Sequence, residues 1–319
     1  MKKIILILGL LTMTASVFAQ TDIQLSQQIN NRVIFNPAAT GQSGCYNFTL
    51  LAREQWTGID GAPSTQLFNF NKYFKSPKLG IGATIVYDRV GVEKTLNAKA
   101  LIAYHVWLTD EMTLSFGLGL GIMNKTIEGS KLIYEDPNDP NAIVTKESKL
   151  SPDFDFGMEY NYKRLSIGAS STHLISSFKR IENNFKVPRH WYAYAKYAIK
   201  CSDAVDLIPA LSWNNLDNVN LMEINAMTNV KDRVSVGLSY RFGLYPYKVE
   251  DGSNLHSLSS DALVLIAGVK IIDALRLSYS YDFKLGNIKY GNTKGSHEIM
   301  LLCRFGCDKT ANTHPRFFN

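Results

Sequence analysis

Few of the side chains that could do chemistry are grouped for it. The six histidines are His105, His173, His190, His256, His297 and His314. Hydrolysis would need a serine or paired carboxylates beside one of them. No G-x-S-x-G or H-E-x-x-H pattern surrounds any of the six, so no catalytic residue is assigned. Of the four cysteines, Cys45, Cys201, Cys303 and Cys307, the last two form a C-x3-C pair. No further ligands lie near that pair, and no metal or cofactor is expected. Asp136-Pro137-Asn138-Asp139-Pro140 lacks calcium-loop spacing and reads as a turn-rich loop.

Two segments are chemically denser. Gln27-Gln28-Ile29-Asn30-Asn31 leads into Phe35-Asn36-Pro37-Ala38-Ala39-Thr40-Gly41, where Asn36-Pro37 and Thr40-Gly41 are turn signals. The other runs from Arg53 to Gln66. Its Asp60-Gly61 and Pro63 suit a tight, ordered turn. Trp56 beside Arg53 could dock a partner or fold inward as a cation–π pair. The candidates for partner binding or loop organisation are therefore Arg53, Trp56, Gly58, Asp60, Gly61, Pro63 and Gln66.

The elements that must hold these residues come from period-two patterning. Met112, Leu114, Phe116, Leu118, Leu120 and Ile122 alternate with Thr113, Ser115, Gly117, Gly119 and Gly121. The same rhythm runs through Val234–Phe242, Leu275–Phe283 and Asp153–Tyr160. About fourteen such segments begin near residues 46, 64, 78, 95, 111, 153, 164, 189, 205, 219, 233, 261, 274 and 296. Most have roughly the 9–11 residues that a tilted strand needs to cross a bilayer. Tight turns at Ser76-Pro77, Thr109-Asp110, Tyr162-Lys163, Ser202-Asp203, Lys231-Asp232 and Ile272-Asp273 alternate with longer connections. Those connections are expected near 56–63, 88–94, 123–152, 174–188, 243–260 and 285–295, with 215–218 an exception. Short periplasmic turns and longer external loops mark an outer-membrane barrel. Tyr46, Tyr87, Tyr104, Trp107, Trp191, Tyr197, Trp213 and Tyr240 stand near strand ends, where aromatic girdles belong.

The reading is an all-β transmembrane antiparallel barrel in the bacterial outer membrane. Lys2-Lys3, the apolar run Ile4–Leu11 and Val17-Phe18-Ala19 read as a signal peptide over 1–19. Residues 20–45 form a periplasmic or plug-like segment, with Asn36, Pro37 and Gly41 as candidate plug residues. The barrel covers 46–306 and a tail 307–319. Export permits disulfides, and four cysteines allow three pairings. The 34 basic and 28 acidic residues are scattered, without the basic stripe that nucleic acid would require. A soluble sandwich would also alternate, but would not need so many strands of membrane length.

The two dense segments together resemble the PorP/SprF family of outer-membrane proteins of gliding and type IX-secreting bacteria. Phe35–Gly41 is similar to the family's I-N-P-A-Y-A-G, with Ala39 for Tyr and Thr40 for Ala. Arg53–Gln66 resembles R-x-Q-W-x-G-x-x-G-A-P-x-T-Q. Leu79-Gly80-Ile81-Gly82, Asp88-Arg89-Val90-Gly91, Pro152-Asp153-Phe154, His173-Leu174 and Gly295–Leu301 extend the likeness. Pro315-Arg316-Phe317-Phe318 resembles the closing C-P-R-F, with His314 where Cys is common. The resemblance implies a non-enzymatic accessory of type IX secretion. It implies help in exporting or attaching a secreted adhesin through the adhesin's C-terminal domain, and contact with secretion or peptidoglycan-linked periplasmic components. The fold by itself points to the alternative, a diffusive porin.

Overall fold

The computed structural model describes residues 23–132, 144–174, 188–216, 219–248, 254–285 and 293–307. The signal peptide, the Asp136–Pro140 loop and the Pro315–Phe318 tail lie outside them.

Alternation builds the fold directly. A strand that alternates apolar and small or polar residues has two chemically different faces. The strands are β1 (Tyr46–Glu54), β2 (Ser64–Phe74), β3 (Leu79–Val90), β4 (Glu93–Thr109), β5 (Met112–Glu128), β6 (Lys146–Tyr162) and β7 (Leu165–Thr172). They continue as β8 (His190–Tyr197), β9 (Val205–Leu216), β10 (Val219–Val230), β11 (Val234–Lys248), β12 (Asn254–Ile272), β13 (Leu275–Lys284) and β14 (Ser296–Phe305). Ile199–Lys200 prolongs β8 beyond Ala198 and pairs with the same neighbour, β9. Each strand pairs antiparallel with the next, and β1 pairs with β14 from Tyr46↔Phe305 to Glu54↔His297. The sheet is thus a closed antiparallel barrel of fourteen strands.

The apolar rows point outward. On β5, Phe116, Leu118, Leu120 and Ile122 are exposed, whereas Thr113 and Ser115 are buried inside. On β1, Leu50 faces out, and Asn47, Thr49, Leu51 and Arg53 face in. Outside, only lipid can cover such a surface. Trp191, Tyr104, Tyr197 and Tyr240 stand exposed on it. Trp107 departs from the expected girdle: it shares the inward parity of Leu101, Ala103 and His105, and its indole N–H reaches the Tyr73 hydroxyl at 3.4 Å.

Two long loops prove shorter than the apolar pattern implied, because pairing outlasts hydrophobicity. β4 and β5 stay in register out to Glu93↔Ile127, and β5 and β6 out to Glu128↔Lys146. Lys125–Glu93 at 2.8 Å and a Lys94–Glu128 pair tie this polar extension. Likewise β12 begins at Asn254 rather than near 261. The connection expected over 88–94 is a two-residue turn, Gly91-Val92, whose Gly91 has φ 58°.

One disulfide, Cys45–Cys307, joins the residue before β1 to the chain just after β14. It sits beside the β1–β14 seam at the short-turn end of the barrel. Cys303 faces outward from β14 and Cys201 is exposed, both as free thiols.

Candidate functional site

Residues 23–45 lie against the inward side chains. The segment holds three 3-10 turns, Gln28–Asn30, Arg32–Ile34 and Pro37–Ala39. Near the loop end, the Glu298 carboxylate accepts the Ser26 and Gln27 amide N–H groups at 2.8 and 2.9 Å. Further down, Gln28 bonds Ser212 and Asn214 of β9. Asn69 of β2 donates to Asn31 at 2.6 Å. At the short-turn end, Gly41 N–H donates to Asn71, and Lys72 donates to the Gly44 carbonyl at 2.9 Å. The segment therefore runs the length of the lumen, from the loop end at residue 23 to the disulfide at Cys45.

The N-P-A-A-T-G stretch explains several wall residues. Asn36 is fully buried; its Oδ1 accepts the Ala38 N–H, and its Nδ2 donates to the Met158 carbonyl and the Tyr194 hydroxyl, each at 3.0 Å. Pro37 at the first position of its turn needs no N–H partner. His105 Nε2 meets the Thr40 carbonyl at 2.9 Å, and its Nδ1 meets Ser115 Oγ at 2.7 Å. The carbonyl can only accept, so Nε2 carries the proton and Ser115 donates to Nδ1. This Ser–His pair thus clamps the segment. Lumen glycines make the room: a Cβ at Gly117 would lie 2.2 Å from Ala38 N, and one at Gly157 2.0 Å from Asn36 Oδ1. The small inward row of β5 is a fitted surface.

Apolar anchors complete the contact. Phe35 packs on Tyr192 and Tyr194, with centroids 5.2 and 5.6 Å away, in a cluster with Ile29, Leu216, Val219 and Leu221. Leu25 joins Leu51, Leu67 and Met300. Burying each such side chain contributes about 1.5–3 kcal/mol.

Among the described residues, three ionic groups stand out on the inner wall. In the first, the Arg53 guanidinium bonds Asp282 at 2.8 Å, Glu298 at 3.4 Å and the Ser26 hydroxyl. Arg241 continues it, with Glu223 at 3.0 Å and Asp282 at 3.3 Å. In the second, Arg32 meets Glu159 at 3.2 Å, and Glu159 accepts the Tyr194 hydroxyl. In the third, Lys99 Nζ lies 2.9 Å from Asp153 and 2.6 Å from Asp155, and His173 Nδ1 lies 2.9 Å from Asp153. Asp153, Asp155 and His173 have ligand-competent spacing. The Lys99 ammonium already supplies the cation between the two carboxylates.

The Arg53–Gln66 motif divides between lumen and loop. Arg53 is buried, not displayed on the surface. Beyond it the chain makes an ordered loop: Gln55 N–H bonds the Pro63 carbonyl at 2.9 Å and Ile59 N–H the Trp56 carbonyl at 3.2 Å. Thr57 exchanges backbone bonds with Gly295 and Lys294 at 2.9 and 2.8 Å, and Gly61 accepts from Gly91 at 2.8 Å. The loop is thereby tied to the chain entering β14 and to the β3–β4 turn. Gly58 and Gly61 have φ of 96° and 73°, and Trp56 itself has φ 51°. The cation over the Trp56 ring is Lys284, 5.6 Å from its centroid, rather than Arg53. Asp60 and Gln66 are exposed, and Gln66 donates to Ser64 at 2.9 Å.

Arg241, Glu223, Asp282, Glu298 and Ser26 were not picked out as a site from sequence. The available signal was parity: Arg241 and Asp282 fall on rows opposite the lipid face, where a charge must find a partner.

The family model of the type IX secretion system membrane protein PorP/SprF matches residues 17–302. The chain belongs to the PorP/SprF family. Comparison with curated proteins gave no match. Among solved structures, Acinetobacter baumannii outer membrane protein Omp33 is similar at 10% identity and TM-score 0.46, over 82% of this chain and 100% of that one. BamA from Haemophilus ducreyi lacking POTRA domains 1–3 is similar at 10% identity and TM-score 0.42, over 82% and 70%. A Rh. blastica porin mutant is similar at 9% identity and TM-score 0.35, over 82% and 99%. The family and the barrel with its apolar exterior put this PorP/SprF protein in the bacterial outer membrane and tie it to type IX secretion.

Proposed function

We propose that this PorP/SprF protein is a non-enzymatic accessory of type IX secretion. It helps export or surface attachment of a cognate secreted adhesin by docking the adhesin's C-terminal domain. In this reading residues 23–45 plug the lumen, and the barrel is a platform rather than a pore. The observation that carries the reading is the run of contacts from Ser26 to Lys72 along the inner wall. A water-filled porin would leave those inward groups to solvent. The first loop supports the same idea. A docking surface gains from being ordered before the partner arrives, since less entropy is lost on binding. Trp56, Gly58, Asp60, Gly61, Pro63 and Gln66 shape that surface, while Arg53 organises it from below through Asp282 and Glu298.

Affinity purification of the tagged protein from crosslinked outer membranes tests this. The expected catch is a secreted protein carrying a type IX C-terminal domain, reduced on changing Trp56 to Ala. Recovery of no such protein and no secretion-system component would sink the proposal.

A further inference from the structure

The lumen segment descends from the outer mouth. Gln24 Nε2 donates to Asp261 at 3.4 Å, and the Asp261 carbonyl accepts from Leu285, the first residue after β13. Ile23 packs with Leu25 beside Val86, in the outer half of β3. Further along, Asn31 meets Asn69 midway down β2, and Thr40 meets His105 near the short-turn end of β4. Cys45 is bonded to Cys307 below them. Each later contact lies lower, and Ile23 stands at the top.

We propose that the chain enters the barrel from the cell-surface side, so that the mature N-terminus is displayed outside the cell at the foot of the first loop. Covalent reach is the first argument. Removal of residues 1–19 leaves Gln20, Thr21 and Asp22 before Ile23. Three residues span at most about 11 Å. The hydrocarbon layer is roughly 30 Å thick, so this end cannot return to the periplasmic side.

Shared partners are the second argument, and they are independent. Glu298 accepts the Ser26 and Gln27 amides and also pairs with Arg53. Asp282 accepts the Ser26 hydroxyl and pairs with Arg53 as well. Asp261, which accepts from Gln24, is bonded by Lys284, the cation over Trp56. The Trp56 N–H donates to Ser296 at 3.1 Å, two residues before Glu298. The first loop and the head of the lumen segment therefore rest on the same carboxylates. Ser26 and Gln27 are fully buried, so the head is held in place and does not slide along the lumen. The docking face, in the reading proposed above, then comprises two chain segments: the first loop and the residues that precede Ile23.

Labelling of intact cells with a membrane-impermeant maleimide tests the direction without any partner. Single cysteines are placed in a Cys201→Ser background: Asp22→Cys beside Ile23, Asp60→Cys in the first loop and Asp110→Cys on a short turn. Asp22→Cys should label on intact cells to the same extent as Asp60→Cys, and Asp110→Cys only after permeabilisation. Labelling of Asp22→Cys only after permeabilisation, or not at all, while Asp60→Cys labels on intact cells, overturns the proposal. Labelling of Asp110→Cys on intact cells with Asp60→Cys silent also overturns it, since the barrel would then be inverted. A bulky polyethylene glycol maleimide on Asp22→Cys should lower recovery of the secreted protein, as Trp56→Ala does. Undiminished recovery would remove the second segment from the docking face. Recovery of no secreted protein from the parent counts against the docking reading instead, and the labelling pattern still decides the direction of entry.

Discussion

Replacing Arg53 with methionine keeps most of the side chain's volume and removes its charge. Arg53 is 1% exposed, and it faces Asp282 at 2.8 Å and Glu298 at 3.4 Å, themselves 3% and 0% exposed. Breaking a buried pair by deleting one partner typically costs about 3–5 kcal/mol, because the other charge is left uncompensated. Here part of the loss is covered. Asp282 keeps Arg241 at 3.3 Å, and Glu298 keeps the Ser26 and Gln27 amides at 2.8 and 2.9 Å. The expected cost is therefore at the lower end, about 3 kcal/mol, or roughly a hundredfold in the folding equilibrium. Urea unfolding of the barrel in lipid vesicles measures it. Arg53→Lys should recover only part of the loss, since an ammonium cannot hold two carboxylates in a planar fork. Adding Glu298→Gln to Arg53→Met should recover some of it, by removing one unpaired charge. A loss under about 1 kcal/mol for Arg53→Met would refute the view that this network anchors the lumen segment to the wall.

The glycine wall gives a second prediction: Gly117→Val should push Ala38 away, and limited proteolysis should then cut within residues 31–41, which stay resistant in the parent. Trp56→Ala should raise hydrogen exchange over residues 55–63 and change barrel stability by no more than about 1 kcal/mol, the scale of an exposed cation–π contact. Asp232, on a short turn, gives a pH test. Partial burial pushes its carboxyl up, but hydrogen bonds from Lys270, at 2.9 Å, and from Arg276 outweigh that and hold it below the ordinary aspartate value. A depressed carboxyl contributes stability above its unfolded pKa and loses it as pH falls through the folded one. Carboxyl NMR of Asp232 should show a midpoint below 3.8, moving upward in Lys270→Gln; a midpoint at or above 3.8 in the parent contradicts the turn geometry. Reducing Cys45–Cys307 should lower the unfolding free energy by about 2–4 kcal/mol, whereas no change would mean that strand pairing alone holds the seam.

The barrel was legible because lipid enforces a strict rule. Each membrane strand must show apolar side chains at every second position, so the β5 row and the β13 row could be read directly. Strand ends were less legible, since β4, β5 and β12 continue as polar ladders where hydrophobicity no longer marks them. Motif density pointed to residues 35–41 and 53–66, and both prove to be contact-rich. Spacing could not say that Arg53 turns inward to Asp282 and Glu298, more than 200 residues away, or that Lys284 is the cation over Trp56. Such pairings depend on which strands close the barrel, and that is settled by the β1–β14 register. The disulfide partner of Cys45 was hidden for the same reason.

Single-channel recording in planar bilayers tests most directly whether the lumen is filled and the barrel is a platform. The parent protein should be silent, and a variant lacking residues 23–41 should show a steady, open-pore conductance. A large, steady conductance in the parent, equal to that of the shortened chain, would contradict the account and restore the porin.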